Sequence, residues 1–100
     1  MNFLHYKVVL LNSARKNLQK IPHQERLKIL KKLDLLIGEQ VSLNIKKLRS
    51  FQDLYRIRSG DYRIIYKNDS KKQIFLIAII CHRKEVYKYH LDSLTSLLLN

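Results

Sequence analysis

Between Tyr55 and Tyr66 the chain reads Tyr-Arg-Ile-Arg-Ser-Gly-Asp-Tyr-Arg-Ile-Ile-Tyr, placing Arg56, Arg58 and Arg63 on either side of one Gly-Asp pair. A guanidinium is a planar fork of donors that matches phosphate oxygens, stays charged near neutral pH, and can stack on a base. So close a set suits a phosphodiester. A second group follows in His82-Arg83-Lys84-Glu85-Val86-Tyr87, where Arg83 adds a cation and His82 and Tyr87 are able to carry a proton. Lys46, Lys47 and Arg49 form a third basic group, suited to the backbone of a nucleic acid.

These side chains can act together only if the chain brings them to one surface. Gly60-Asp61 suits a two-residue type II′ turn with glycine first, which sets Ser59 opposite Tyr62 and Arg58 opposite Arg63, with Arg56 one diagonal away. Alternation then puts Tyr55, Ile57, Tyr62, Ile64 and Tyr66 on one face and Arg56, Arg58, Arg63 and Ile65 on the other. Like charges directly opposite each other destabilise a sheet, so a face that only needed solvation would alternate its signs. Surface ion pairs with Asp53, Asp61 or Glu85 are the plain alternative. The eight acids of the chain cannot neutralise its twenty Lys and Arg, however, and the balance of +12 steers it towards a polyanion or an acidic protein. The three tyrosines are first of all core aromatics with a polar tip, and His82 is as well explained by packing or solvation as by catalysis.

The elements that must position this surface can be read along the chain. One hundred residues make one domain, 1–100, and three Gly and Pro in all leave no linker or low-complexity tract. The single Cys81 excludes an internal disulfide and a cysteine-based zinc site, and the four His residues have no ligand-like spacing, so no cofactor or metal is expected. No basic-then-apolar stretch opens the chain, and the apolar run Ile74 to Cys81 is too short for a bilayer, so a cytosolic protein is expected. His5 to Leu11 reads as a strand, with Asn12-Ser13 as a helix N-cap after it. Ala14, Leu18 and Ile21 then mark a short helix that Pro22 interrupts, and Leu27, Leu30, Leu33, Leu36 and Ile37 mark the apolar face of a second, which Gly38 stops. Glu39 to Phe51 reads as a loop, Leu54 to Asn68 as the hairpin, and Gln73 to Cys81 as a central strand buried on both faces. Lys84 to Leu99 carries a weakly helical pattern and is expected to form a terminal helix.

The run "KLRSFQDLYRIRSGDYRIIYK" together with "IFLIAIICHRKEVY" resembles the RelE family of toxin ribonucleases, and the likeness spans nearly the whole chain. It implies an α+β fold: two antiparallel N-terminal helices packed on a mainly antiparallel four-stranded sheet, in the order β-α-α-β-β-β, with a C-terminal helix. It further implies a cytosolic toxin that enters the ribosomal A site and cuts messenger RNA there without a metal, held inactive by an acidic RelB-like antitoxin in a hetero-oligomer. In such enzymes the 2′-hydroxyl attacks the scissile phosphate and basic residues stabilise the developing charge. Carried over, the active residues are Arg56, Arg58, Arg63, Arg83 and Tyr87, with Lys46, Lys47 and Arg49 binding RNA. Some members have lysines where this chain has Arg56 and Arg58, and a guanidinium does not surrender a proton near neutral pH. The proton carrier is therefore left open, with His82 and Tyr87 as candidates. Two rival readings stay beside this one: a ParE-like toxin that binds DNA gyrase, and a member that binds RNA without cutting it.

Overall fold

The computed structural model describes residues 3–49 and 53–89. Along the chain run β1 (Lys7–Leu10), α1 (Asn12–Gln19), α2 (His23–Gly38), β2 (Ile45–Arg49), β3 (Leu54–Ser59), β4 (Tyr62–Asp69) and β5 (Ile74–His82), with single 3-10 turns at Gln40–Ser42 and Val86–Lys88. The strands form one sheet in the order β1-β5-β4-β3-β2. Its pairings are antiparallel except the one that joins β1 to β5 in parallel, Lys7 opposite Ile74 through Leu10 opposite Ile77. The α+β class and the helix pair agree with expectation, whereas the sheet has five strands where four were expected.

The additional strand is β2, inside the stretch read as a loop. Its register slips between Lys47 and Arg49; Ile45 joins the core on the helix side and Leu48, three residues on, packs with the cluster on the opposite face. A bulge of this kind breaks the alternation by which a strand is recognised. The terminal helix expected over Lys84 to Leu99 lies, from residue 90 onwards, outside the described residues, and before that the chain makes only the turn at Val86–Lys88.

Both helices pack on one face of the sheet. Ala14 and Ile21, from α1 and the turn after it, and Ile29, Leu33 and Leu36 of α2 meet Ile57, Ile64, Tyr66, Phe75, Ile77 and Ile80 in the main core. The buried stripe of α2 is thus Ile29-Leu33-Leu36, and Leu27 and Leu30 are exposed. At about 100° per residue Leu27 lies roughly 200° around the helix from Ile29, so the two cannot both face the sheet.

Helix α1 is fastened to β5 at a second bulge. Ile65 pairs with Ile79 and Tyr66 with Ile77, which leaves Ala78 out of the ladder. The Ser13 hydroxyl donates to the Ala78 carbonyl at 2.6 Å, and the Ile80 amide donates to Asn17 Oδ1 at 3.1 Å. Ser13 and Asn17 stand one turn apart on the same side of the helix, so together they satisfy backbone groups that the irregularity displaces. This replaces the expected cap: Leu11 is the N-cap residue, no side chain caps the helix, and Ser13 is committed to the sheet. Among the described residues no helix is long and apolar enough to cross a membrane.

Candidate functional site

The β3–β4 hairpin has the register that a two-residue turn dictates. Ser59 is opposite Tyr62, Arg58 opposite Arg63 and Arg56 opposite Ile65. Gly60 has φ of +58° and Asp61 does not join it in the left-handed region, as a type II′ turn requires. Ile57, Ile64 and Tyr66 face the helices, where Tyr66 is stacked on Tyr55 with ring centroids 5.5 Å apart. Burial pushes the Tyr66 phenol well above its ordinary range.

The opposite face carries the arginines above a smaller apolar cluster of Leu54, Ile65, Ala78, Ile79 and Cys81. Lys46 of β2 stands opposite Arg56. Together Asn44, Lys46, Arg56, Arg58 and Arg63 line a recess of about 190 Å³. Two backbone contacts secure its rim: Arg58 N–H donates to the Asn44 carbonyl at 3.2 Å, and Lys32 of α2 donates its ammonium to the Arg58 carbonyl at 3.0 Å. Arg63 Nη1 donates to the carbonyls of Gly60 and Tyr62, each at 2.9 Å, so its guanidinium is tethered to the turn.

Burial, and then repulsion from Arg58, Arg56 and Arg83, hold the Arg63 pKa below the ordinary arginine value, with Asp61 acting in the other direction. The group remains a cation near neutral pH. The cause of its shift shows a cluster of positive charge that an anion would relieve. Cys81 packs with the apolar cluster beneath the arginines, and burial with the nearby Glu85 pushes its thiol up to about 11, against the opposing pull of Arg63 and Arg56. A thiol held neutral in this way is no nucleophile at physiological pH.

Arg83 joins the cluster through the hairpin turn. Its backbone N–H donates to the Asp61 carbonyl at 2.6 Å, and its Nε lies 3.5 Å from Asp61 Oδ1. Both side chains are more than half exposed, so the pair orients Arg83 more than it stabilises the fold. Asp61 therefore has a positioning role beyond its place in the turn, and Asn44 belongs to the recess although nothing in its local sequence marks it.

The remaining predicted residues are dispersed. Tyr87 is 74% exposed on the turn after β5. His82 is opposite Tyr62, edge-on to its ring at 5.6 Å, and its Nδ1 accepts the Lys84 amide at 3.2 Å. It lines a hollow with Pro22, Glu25 and Lys28, apart from the residues of the arginine recess. Lys47 is opposite Tyr55 and holds its ammonium 5.6 Å from the centre of that ring, away from Lys46 and Arg56. Arg49 pairs with Leu54 at the end of β2. Among the described residues no three His, Cys, Asp or Glu side chains gather as a metal site would need.

Residues 8–87 match the family model described as ParE toxin of type II toxin-antitoxin system, parDE. Toxin RelE3 of Methanocaldococcus jannaschii is 32% identical over 91 residues, covering 83% of this chain and 97% of that protein. Among solved structures, the archaeal RelE–RelB complex from Pyrococcus horikoshii has a chain 32% identical with a TM-score of 0.69, covering 78% of this chain and 94% of its own. The isolated RelE toxin of E. coli is 27% identical with a TM-score of 0.63, covering 83% and 92%.

Proposed function

Since the chain belongs to the RelE/ParE family of toxins of type II toxin–antitoxin systems, we propose that it is a metal-independent endoribonuclease that cuts messenger RNA in the ribosomal A site and so stops translation. The observation that carries this reading is the recess lined by Lys46, Arg56, Arg58 and Arg63, where cations of three neighbouring strands meet with no carboxylate among the lining residues. The 2′-hydroxyl of the preceding nucleotide attacks the phosphorus, the bond to the 5′-oxygen breaks, and a cyclic phosphate remains. Arg56, Arg58 and Arg63 hold the phosphate and stabilise the charge that grows on its oxygens, an effect worth about 3 kcal/mol per well-placed donor. Arg83, oriented by Asp61, is a further cation beside them, and Tyr87 stacks on or positions the reacting nucleotide. Lys47 and Arg49 contribute to the positive field along the RNA.

In the cell, on this reading, the toxin acts in the cytoplasm and is held by an acidic RelB-like antitoxin. The net charge of +12 supports such a partner, as does the presence of RelB with RelE in the similar solved complex. Purified protein added to translating ribosomes is expected to produce new 5′ ends within A-site codons. The description of the matching family model as ParE favours one rival, a toxin that binds gyrase. Accumulation of gyrase-cleaved DNA with the message intact would select it, and blocked translation with unbroken message would select an RNA-binding member without cleavage.

A further inference from the structure

Cleavage of an RNA strand by its own 2′-hydroxyl requires two proton movements: one proton leaves the attacking oxygen, and one must reach the 5′-oxygen as its bond to phosphorus breaks. The arginines of the recess cannot perform the second, because a guanidinium keeps its protons. Asn44 has none to exchange. His82 lies in the hollow on the helix side of the hairpin, opposite Tyr62, and the Cys81 thiol is buried beneath the recess. Lys46 is different. It lines the recess itself, it is opposite Arg56 on the neighbouring strand, and it is the one lining side chain whose cation can release a proton and take it back.

We propose that Lys46 is the general acid of the cleavage reaction, donating an ammonium proton to the departing 5′-oxygen; this rests on the endonuclease reading above. In the step, the O2′–P bond forms and the P–O5′ bond breaks. The 2′ proton passes to solvent water, the Nζ proton passes to the 5′-oxygen, and solvent reprotonates the neutral amine. The products are a 2′,3′-cyclic phosphate and a 5′-hydroxyl, so atoms and charge balance. The charged side chains lining the recess around Lys46 are Arg56 and Arg58 from β3 and Arg63 from β4. All three stabilise the phosphorane oxygens while Lys46 serves the leaving group. β2 is at the edge of the sheet and Lys46 is exposed, so RNA can reach the ammonium and water can restore its proton.

The test compares Lys46→Arg with wild type on translating ribosomes, using a message with an ordinary phosphodiester or a 5′-bridging sulfur at the cleaved position. Arginine keeps the charge but withholds the proton, and a thiolate leaves without one. For the ordinary message kcat is expected to fall about 100-fold or more, the range of general acid catalysis, with KM little changed. For the sulfur-bridged message Lys46→Arg should cut within a few-fold of wild type. Lys72→Arg, in the exposed turn after β4, controls for substitution on this basic chain, and circular dichroism checks the fold. A Lys46→Arg protein that cuts the ordinary message at the wild-type rate, or one that the sulfur substrate fails to rescue, overturns the assignment while leaving the nuclease reading intact. Absence of cleavage by wild type overturns both.

Discussion

The two faces of the β3–β4 hairpin are made by the same twelve residues and obey opposite rules. Towards the helices, Ile57, Ile64 and Tyr66 are almost wholly buried and packed with Phe75, Ile77 and α2. On the other side Arg58 is opposite Arg63, and repulsion from Arg58, Arg56 and Arg83 acts on the Arg63 guanidinium. One face lowers the free energy of the fold and the other raises it. The difference teaches that the arginine face persists because alternation makes it an obligatory companion of a well-packed core, and that its charge is available for an incoming anion.

Substitutions on either side should therefore separate stability from activity. Ile64→Ala is expected to destabilise the fold by about 2–5 kcal/mol in urea unfolding, the range for truncating a buried aliphatic side chain. Where the mutant remains folded, its activity per folded molecule should be close to wild type. Arg63→Ala should do the reverse, lowering cleavage about 100-fold or more, as removal of one charge-stabilising donor does, with no loss of stability. Arg83→Ala should follow it in direction.

Smaller effects sharpen the contrast. Ser13→Ala leaves the Ala78 carbonyl of the bulge without its donor and should destabilise by about 1 kcal/mol, again without touching cleavage by folded protein. Alkaline pH probes the apolar layer beneath the arginines. The folded chain retains the Cys81 proton until about 11, whereas the unfolded chain releases it near the ordinary cysteine value, so stability falls as pH rises through that interval. Cys81→Ala should flatten that part of the slope, measured as the urea midpoint against pH. The smallest change expected is a gain: Arg58→Gln removes a like charge opposite Arg63 and should stabilise by about 0.5 kcal/mol at low salt, a difference that added salt reduces.

How far the surface was legible in the sequence follows from where local rules hold. The hairpin obeys strict parity around a two-residue turn, so Tyr55 to Tyr66 disclosed its register, its core face and the meeting of Arg58 with Arg63. The strand β2 was illegible because it is short, carries basic residues on both faces and slips register between Lys47 and Arg49; once it is a strand, alternation alone parts Lys46 from Lys47. His82 and Arg83 are adjacent in sequence, yet His82 is turned to Tyr62 while Arg83 is drawn to Asp61. Alternation accounts for their parting, since consecutive side chains point to opposite faces, but the contact of Arg83 with Asp61 depends on the hairpin turn lying beside the end of β5, which local sequence does not encode. The parallel contact of β1 with β5 likewise depends on a pairing across more than sixty residues, which local periodicity does not encode.

The central claim is that the arginine face holds a scissile phosphate. Its most direct measurement is 5′-end mapping of a message on translating ribosomes with wild type and Arg63→Ala, each checked for folding by urea unfolding. The account predicts cuts within A-site codons for wild type, and their disappearance for an Arg63→Ala protein at least as stable. Equal cutting by the two proteins, or an intact message with folded wild type, would contradict it.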